Sequence, residues 1–449
     1  MKKILLGVLL AGTAMSAQAA DLAPRPYTKA PMMAPVYDWT GFYLGVNAGF
    51  GLGRDRTVHD YGNGLGTSLY LQPLGAVGGG QIGYNWQTNS FLGPIVIGVE
   101  ADIQAADMSD NRTIIPGAFQ YNQKLDWFGT VRGRIGLVTG PTLTYVTAGY
   151  AYGDANTTVI GAGGPLPFRG TRDGWTWGSG VEAALGGNWT GKIEYLYLDL
   201  GNRTDSFAGQ TLYSELRENI FRVGLNYRIG GNSTYTPLAT ANWSGFYLGG
   251  NVGTGTSRDR AAIEDVNAGT GVLFNLAPHG FIGGAQAGYN WQSGNIVFGL
   301  ETDFQGSTME DNRTCIGCTP GLSLDFNSKL QWLGTVRGRL GYAVGPSLFY
   351  ATGGFAYGDV KTAINTAINN VGFSDTRTGW TVGGGIETPF TLLGLFGPNW
   401  TATTEYLYVD LGDHSFDLGG SAVLTTGAQE HIFRTGLNYH FNTPVITKY

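Results

Sequence analysis

The residues of this chain able to do chemistry are few and regularly placed. Arg132 and Arg134 stand two apart, as do Glu100 and Asp102, and Lys192 and Glu194. Alternate residues of an extended chain share a face, so each pair would present its charges to one side. Glu182, Arg222 and Arg228 fall on the same side by the same test, completing a set of five cations and four anions. Further along, Glu301, Asp303, Arg337, Arg339, Glu387, Glu405 and Arg434 repeat the arrangement. Guanidiniums and carboxylates in near balance can form a hydrogen-bonded ionic network, and their spacing supplies no nucleophile beside a base.

Other candidates carry less. Gly78, Gly80 and Gly83 spell G-x-G-x-x-G, but a dinucleotide site needs a helix N-terminus behind the glycines. This segment reads as a strand, and its later counterpart has Ala285 at the middle position. Cys315 and Cys318 form a C-x-x-C without a second pair or a nearby histidine, so zinc is not expected. In an exported chain a local disulfide between them is the expectation. His59-Asp60 and Asp413-His414 have the residue types of an acid/base pair, but they fall in non-equivalent intervals and read as solvated loop residues. The expectation is no catalytic residue, no metal and no cofactor.

The charged residues must be held by strands. From Phe42 to Gly53 one parity reads Phe, Leu, Val, Ala, Phe, Leu and the other Tyr, Gly, Asn, Gly, Gly, Gly, a strand with one greasy and one small, polar face. Seven further segments behave alike, near residues 76 to 87, 95 to 104, 124 to 137, 143 to 153, 174 to 185, 189 to 198 and 219 to 229. Long intervals, near 54 to 75, 105 to 123, 154 to 171 and 199 to 218, alternate with short ones near 88 to 94, 138 to 142 and 186 to 188. Short periplasmic turns and long outer loops on an even number of strands describe an outer-membrane barrel. Arg132 and Arg134 oppose Trp127, Val131, Ile135 and Leu137 in parity. An arginine facing hydrocarbon would cost about 2–4 kcal/mol, so the charged parity must point inward. The interior of eight strands is just wide enough for side chains to fill, which predicts an ionic plug. Trp39, Trp86, Trp127, Trp175, Trp189 and Tyr227 are expected at the lipid–water interfaces.

Composition agrees with a lipid-facing exterior. Charged residues make up only 13% of the 449 residues, too few to dress a water-facing surface, and 74 glycines interrupt any helical reading. Lys2 and Lys3 precede an apolar stretch from Ile4 to Ala14, and Ala17-Gln18-Ala19 offers a cleavage site, so residues 1–19 read as a signal peptide and the chain as exported. The net charge of −6 argues against nucleic acid as partner.

The pattern occurs twice. Trp39-Thr40-Gly41-Phe42-Tyr43 returns as Trp243-Ser244-Gly245-Phe246-Tyr247, Gly129-Thr130-Val131-Arg132-Gly133-Arg134 as Gly334-Thr335-Val336-Arg337-Gly338-Arg339, and Glu194-Tyr195-Leu196-Tyr197 as Glu405-Tyr406-Leu407-Tyr408. The organisation read from this is a proline-bearing lead-in over 20–38, barrel units over 39–229 and 243–441, a periplasmic linker over 230–242 and a tail over 442–449. Each unit keeps its own first and last strands and its own charges, which favours an all-β chain of two tandem eight-stranded transmembrane barrels. The alternative is one sixteen-stranded barrel, a porin passing small solutes.

Those repeated blocks, with Gly83-Tyr84-Asn85-Trp86 and Arg222-Val223-Gly224-Leu225-Asn226-Tyr227, resemble the alphaproteobacterial outer-membrane immunogenic protein family, small porin-like barrels with an OmpA-like fold. The resemblance implies an abundant outer-membrane protein with roles in envelope integrity, host contact or haemin binding. It also implies membrane lipid and lipopolysaccharide as surroundings, and insertion by the barrel assembly machinery, which reads an aromatic residue of the last strand. A haemin ligand would be His or Tyr, and His59 and His279 both lie in the first long interval of their units.

Overall fold

The computed structural model describes residues 37–62, 66–114, 119–161, 163–207, 209–230, 240–267, 270–319, 322–366, 370–392 and 396–441. Residues 1–19, read from the sequence as a signal peptide, most of the lead-in and of the linker, and the tail lie outside them.

In the first half the strands are β1 (Gly41–Gly53), β2 (Asp55–Asp60), β3 (Gly66–Leu71), β4 (Leu74–Ser90), β5 (Gly93–Ile114), β6 (Phe119–Thr139), β7 (Thr142–Gly161), β8 (Gly164–Gly186), β9 (Trp189–Phe207) and β10 (Gln210–Ile229). In the second half they are β11 (Gly245–Ser257), β12 (Asp259–Asp265), β13 (Thr270–Leu276), β14 (His279–Ser293), β15 (Ile296–Ser307), β16 (Glu310–Thr319), β17 (Leu322–Val344), β18 (Ser347–Thr366), β19 (Asn370–Pro389), β20 (Trp400–Gly419) and β21 (Ala422–His440). Every neighbouring pair is antiparallel. β1 pairs with β4 on one side and β10 on the other, from Phe42 opposite Ile229 to Gly53 opposite Glu218. β11 likewise joins β14 and β21. Each half therefore closes on itself with eight strands around the ring, which excludes the single sixteen-stranded ring. The β2–β3 hairpin hangs on β10 beyond the ring, and β12–β13 on β21.

The lipid-facing parity is visible in exposure. Val46, Val131, Ile135 and Val223 are half exposed or more, while Arg132 and Arg134 between them are buried. Trp86, Trp175, Trp189 and Tyr227 sit on the outer wall at its two ends. Trp39 does not. It is buried with Tyr37, Val96, Leu143 and Tyr145 at the mouth on the side of the short turns, because it precedes the first ladder residue and can turn inward to close that end.

The long intervals near 105–123, 154–171 and 199–218 read as loops, yet the ladders run on through them, from Ser109 opposite Lys124 to Ile114 opposite Phe119 and from Asp154 opposite Thr171 to Gly161 opposite Gly164. Beyond the hydrocarbon neither face need be apolar, so period-two contrast fades while backbone pairing continues. The short turns are tight. Gly140 and Gly345 take φ of 58° and 55° in two-residue connections, where glycine adopts the left-handed region without strain.

The two rings also touch. Tyr195 stacks on Phe433 with centroids 5.4 Å apart, and Phe221 meets Tyr406 at 4.9 Å. Arg54 reaches Asp311 at 3.1 Å, and Arg258 reaches Asp110 at 3.2 Å. Each contact recurs with the repeat counterparts exchanged, as in an isologous two-fold interface.

Candidate functional site

Residues are brought together inside each ring rather than on its surface. In the first, inward positions of β5, β6, β9 and β10 meet at mid-height. Arg132, with no exposed side chain, bonds Glu100 and lies 2.9 Å from Asp102 and 3.2 Å from Glu194. Arg222 donates from Nε to Glu194 at 2.7 Å and from Nη2 to Asp102 at 2.9 Å. Lys192 Nζ is 3.2 Å from Glu100, and Arg134 Nη1 is 3.0 Å from Glu182. Gly49 makes room for this: a Cβ there would stand 2.9 Å from that of Arg222. Arg228 takes no place in the central cluster. Its guanidinium lies over the Tyr37 ring at 4.8 Å and donates to the Asp38 carbonyl, at the end of the ring that carries the short turns.

The second ring has the same plan. Arg337 bonds Glu301 and lies 3.0 Å from Asp303 and 2.9 Å from Glu405, while Arg434 is 2.9 Å from Asp303 and 2.6 Å from Glu405. Arg339 is 2.7 Å from Glu387.

Some members have no charge to betray them in the sequence. Tyr43 and Tyr145 donate to Glu100 and Glu194 at 2.8 Å each, and Tyr247 and Tyr350 do the same for Glu301 and Glu405 at 2.6 and 3.1 Å. The signal for Tyr43 was its place on the small, polar parity of β1. His440 stands where the first unit has Arg228, 3.1 Å from Glu387. A second buried layer lies further out: Asp55 with Glu218, and its counterpart Asp259 with Glu430, all with little or no exposure.

Between these polar layers the interior is apolar. Met108, Leu125, Phe128, Leu196, Leu198, Leu216 and Ile220 fill the first ring just outside its ionic layer, and Met309, Leu330, Leu333, Leu407, Val409 and Ile432 fill the second. Tyr121, Val159, Phe168 and Leu212 pack beneath the β2–β3 hairpin. Along each axis, aromatic, ionic, aliphatic and carboxyl-bearing layers succeed one another. Paired charges between greasy layers can hold the wall in register.

His59, read from the sequence as a solvated loop residue, lies on β2 of the hairpin with its side chain buried. Its Nδ1 is 2.9 Å from the Tyr121 hydroxyl and its Nε2 2.8 Å from Gln210 Oε1, and burial holds the imidazole below its ordinary range. The period-two signal on β2 is too short to show this. His414 is partly exposed on β20 and pairs with Asp375. The Cys315 and Cys318 side chains lie outside the described residues, and no cluster of metal-ligating side chains occurs among those described.

Comparison with known proteins follows the same division. Residues 6–228 and 230–441 each match the family described as outer membrane protein beta-barrel domain. Over 221 residues the chain is 39% identical to the 31 kDa outer-membrane immunogenic protein of Brucella melitensis biotype 1, covering 46% of this chain and 88% of that protein. It is 34% identical over 200 residues to the 22 kDa outer membrane protein of Rhizobium leguminosarum, covering 44% and 79% respectively. Among solved structures, Neisserial surface protein A is similar at 14% identity over 44% of this chain and 98% of that one, with a TM-score of 0.23.

Proposed function

The chain belongs to the outer-membrane β-barrel family in two copies, and from that premise we propose that it is a non-enzymatic envelope protein whose barrels are plugged and whose outer hairpins present a surface to the outside. The observation that carries the reading is the unbroken succession of buried layers along each axis, with Arg132 and Arg337 each fully enclosed by three carboxylates. A solute pathway would need water at those positions. There the ions would lose their fixed partners, and the barrel the pairing that makes buried charge tolerable. Signal-directed export, insertion by the barrel assembly machinery and contact of the outer hairpins with lipopolysaccharide or host surfaces complete the reading. Both ring nitrogens of His59 are engaged within the protein, which speaks against that residue as a haemin ligand.

Planar-bilayer recording of the purified chain tests the plug. The expected trace is flat or shows rare, small openings. Steady large conductance at single-protein level would reject the reading in favour of a pore.

A further inference from the structure

Between the two rings, on the faces that meet hydrocarbon, runs a crevice of about 1090 Å³. One wall is built by Val46, Ala48, Val223 and Leu225 of β1 and β10, the other by Leu340 and Ala351 of β17 and β18. Val46, Val223, Leu225 and Leu340 keep 63%, 60%, 45% and 55% of their surface accessible although they line it, so the crevice is open along its length. Its outward end is closed where Phe50, Phe221, Tyr406 and Phe433 pack together. Beyond that lie the Arg54–Asp311 and Arg258–Asp110 pairs. At the other end it reaches Tyr342 and Phe349, which face each other across the ladder close to the turn at Gly345.

We propose that this crevice is a binding site for the acyl chains of a phospholipid of the inner, periplasmic leaflet. The side chains exposed along it are the lipid-facing parity of both barrels, so the medium that reaches it is hydrocarbon and not water. In a bilayer, apolar walls gain nothing from hiding from lipid; they gain from contact, and a void between two stiff sheets forfeits dispersion contacts on both sides. An acyl chain is the flexible hydrocarbon at hand to restore them. The leaflet follows from position. Short turns mark the periplasmic end, the crevice opens toward that end, and the aromatic cluster bars approach from the outer leaflet, where lipopolysaccharide would enter. The inference rests on the packing of the two barrels and not on whether they conduct.

The test is native mass spectrometry of the full chain, released from detergent micelles carrying phosphatidylethanolamine and lipopolysaccharide together. A retained phospholipid is expected on the unaltered protein. Ala48→Trp with Ala351→Trp fills the crevice from both walls at lipid-facing positions and should lower occupancy about tenfold. Heat-dependent gel mobility should be unchanged, showing that both barrels are folded. Should that pair fail to fold, Ala48→Leu with Ala351→Leu is the milder version, with a smaller loss expected. Equal retention by filled and unaltered chains, retention of lipopolysaccharide in place of phospholipid, or a second copy of the chain occupying the face would each overturn the proposal.

Discussion

Replacing Arg132 by leucine attacks the centre of the first barrel. The guanidinium is enclosed, bonded to Glu100, and 2.9 and 3.2 Å from Asp102 and Glu194. Its removal does not strand those carboxylates entirely: Arg222 still touches Asp102 and Glu194, and Lys192 still touches Glu100. Breaking one buried pair costs about 3–5 kcal/mol, and the remaining cations place the expected loss at the lower end of that range. Adding Glu194→Gln removes one of the anions left in excess and should recover part of it, through a coupling of about 0.5–3 kcal/mol. The chain carries its own control, because Arg337→Leu removes the matching group from the second barrel and should affect only that barrel's transition. Urea unfolding in lipid vesicles, followed by tryptophan fluorescence and gel mobility, reads both. A change within about 0.5 kcal/mol, the range of ordinary surface substitutions, would refute the argument that the arginine holds the network together.

The remaining expectations are smaller. Val131→Arg places a cation on the half-exposed outer wall of β6 and should destabilise the first barrel by about 2–4 kcal/mol in vesicles; a neutral outcome would put that position outside the hydrocarbon. The Asp55 carboxyl at the foot of the outer hairpin is buried, which pushes its pKa up. The folded state therefore keeps a proton that the unfolded state has released, so this contribution is complete below the ordinary carboxylate range and lost as pH rises through the raised value. Amides of β2 and β3 should be better protected from hydrogen exchange at about pH 5 than at about pH 9 after correction for the intrinsic rate, and Asp55→Asn with Glu218→Gln, which neutralises both members of the buried carboxyl pair, should flatten the difference. An identical pH profile in that variant would assign the effect elsewhere.

Much of this was legible in the chain. Period two with charge confined to one parity has a single low-energy solution in a bilayer, since Arg132 cannot face lipid while Val131 hides. The inward set, the lipid-facing set and the duplication could all be read from residue types and spacing. The loops could not be told from strands, because outside the membrane neither face must be apolar and the alternation that marks a strand is no longer required. Trp39 and His59 were misplaced for a related reason: each lies at the edge of or beyond the regular ladder, where parity does not dictate direction.

What the sequence alone determined is which side chains must avoid hydrocarbon, a matter of solvation that each residue settles for itself. What only the tertiary structure decided is which of them meet. Ring closure at β1 with β10 and β11 with β21, the tyrosine hydroxyls turned onto Glu100 and Glu301, and the crevice between the barrels depend on distances across an enclosed space. Those distances are set by strand number and register together, and no local pattern carries them.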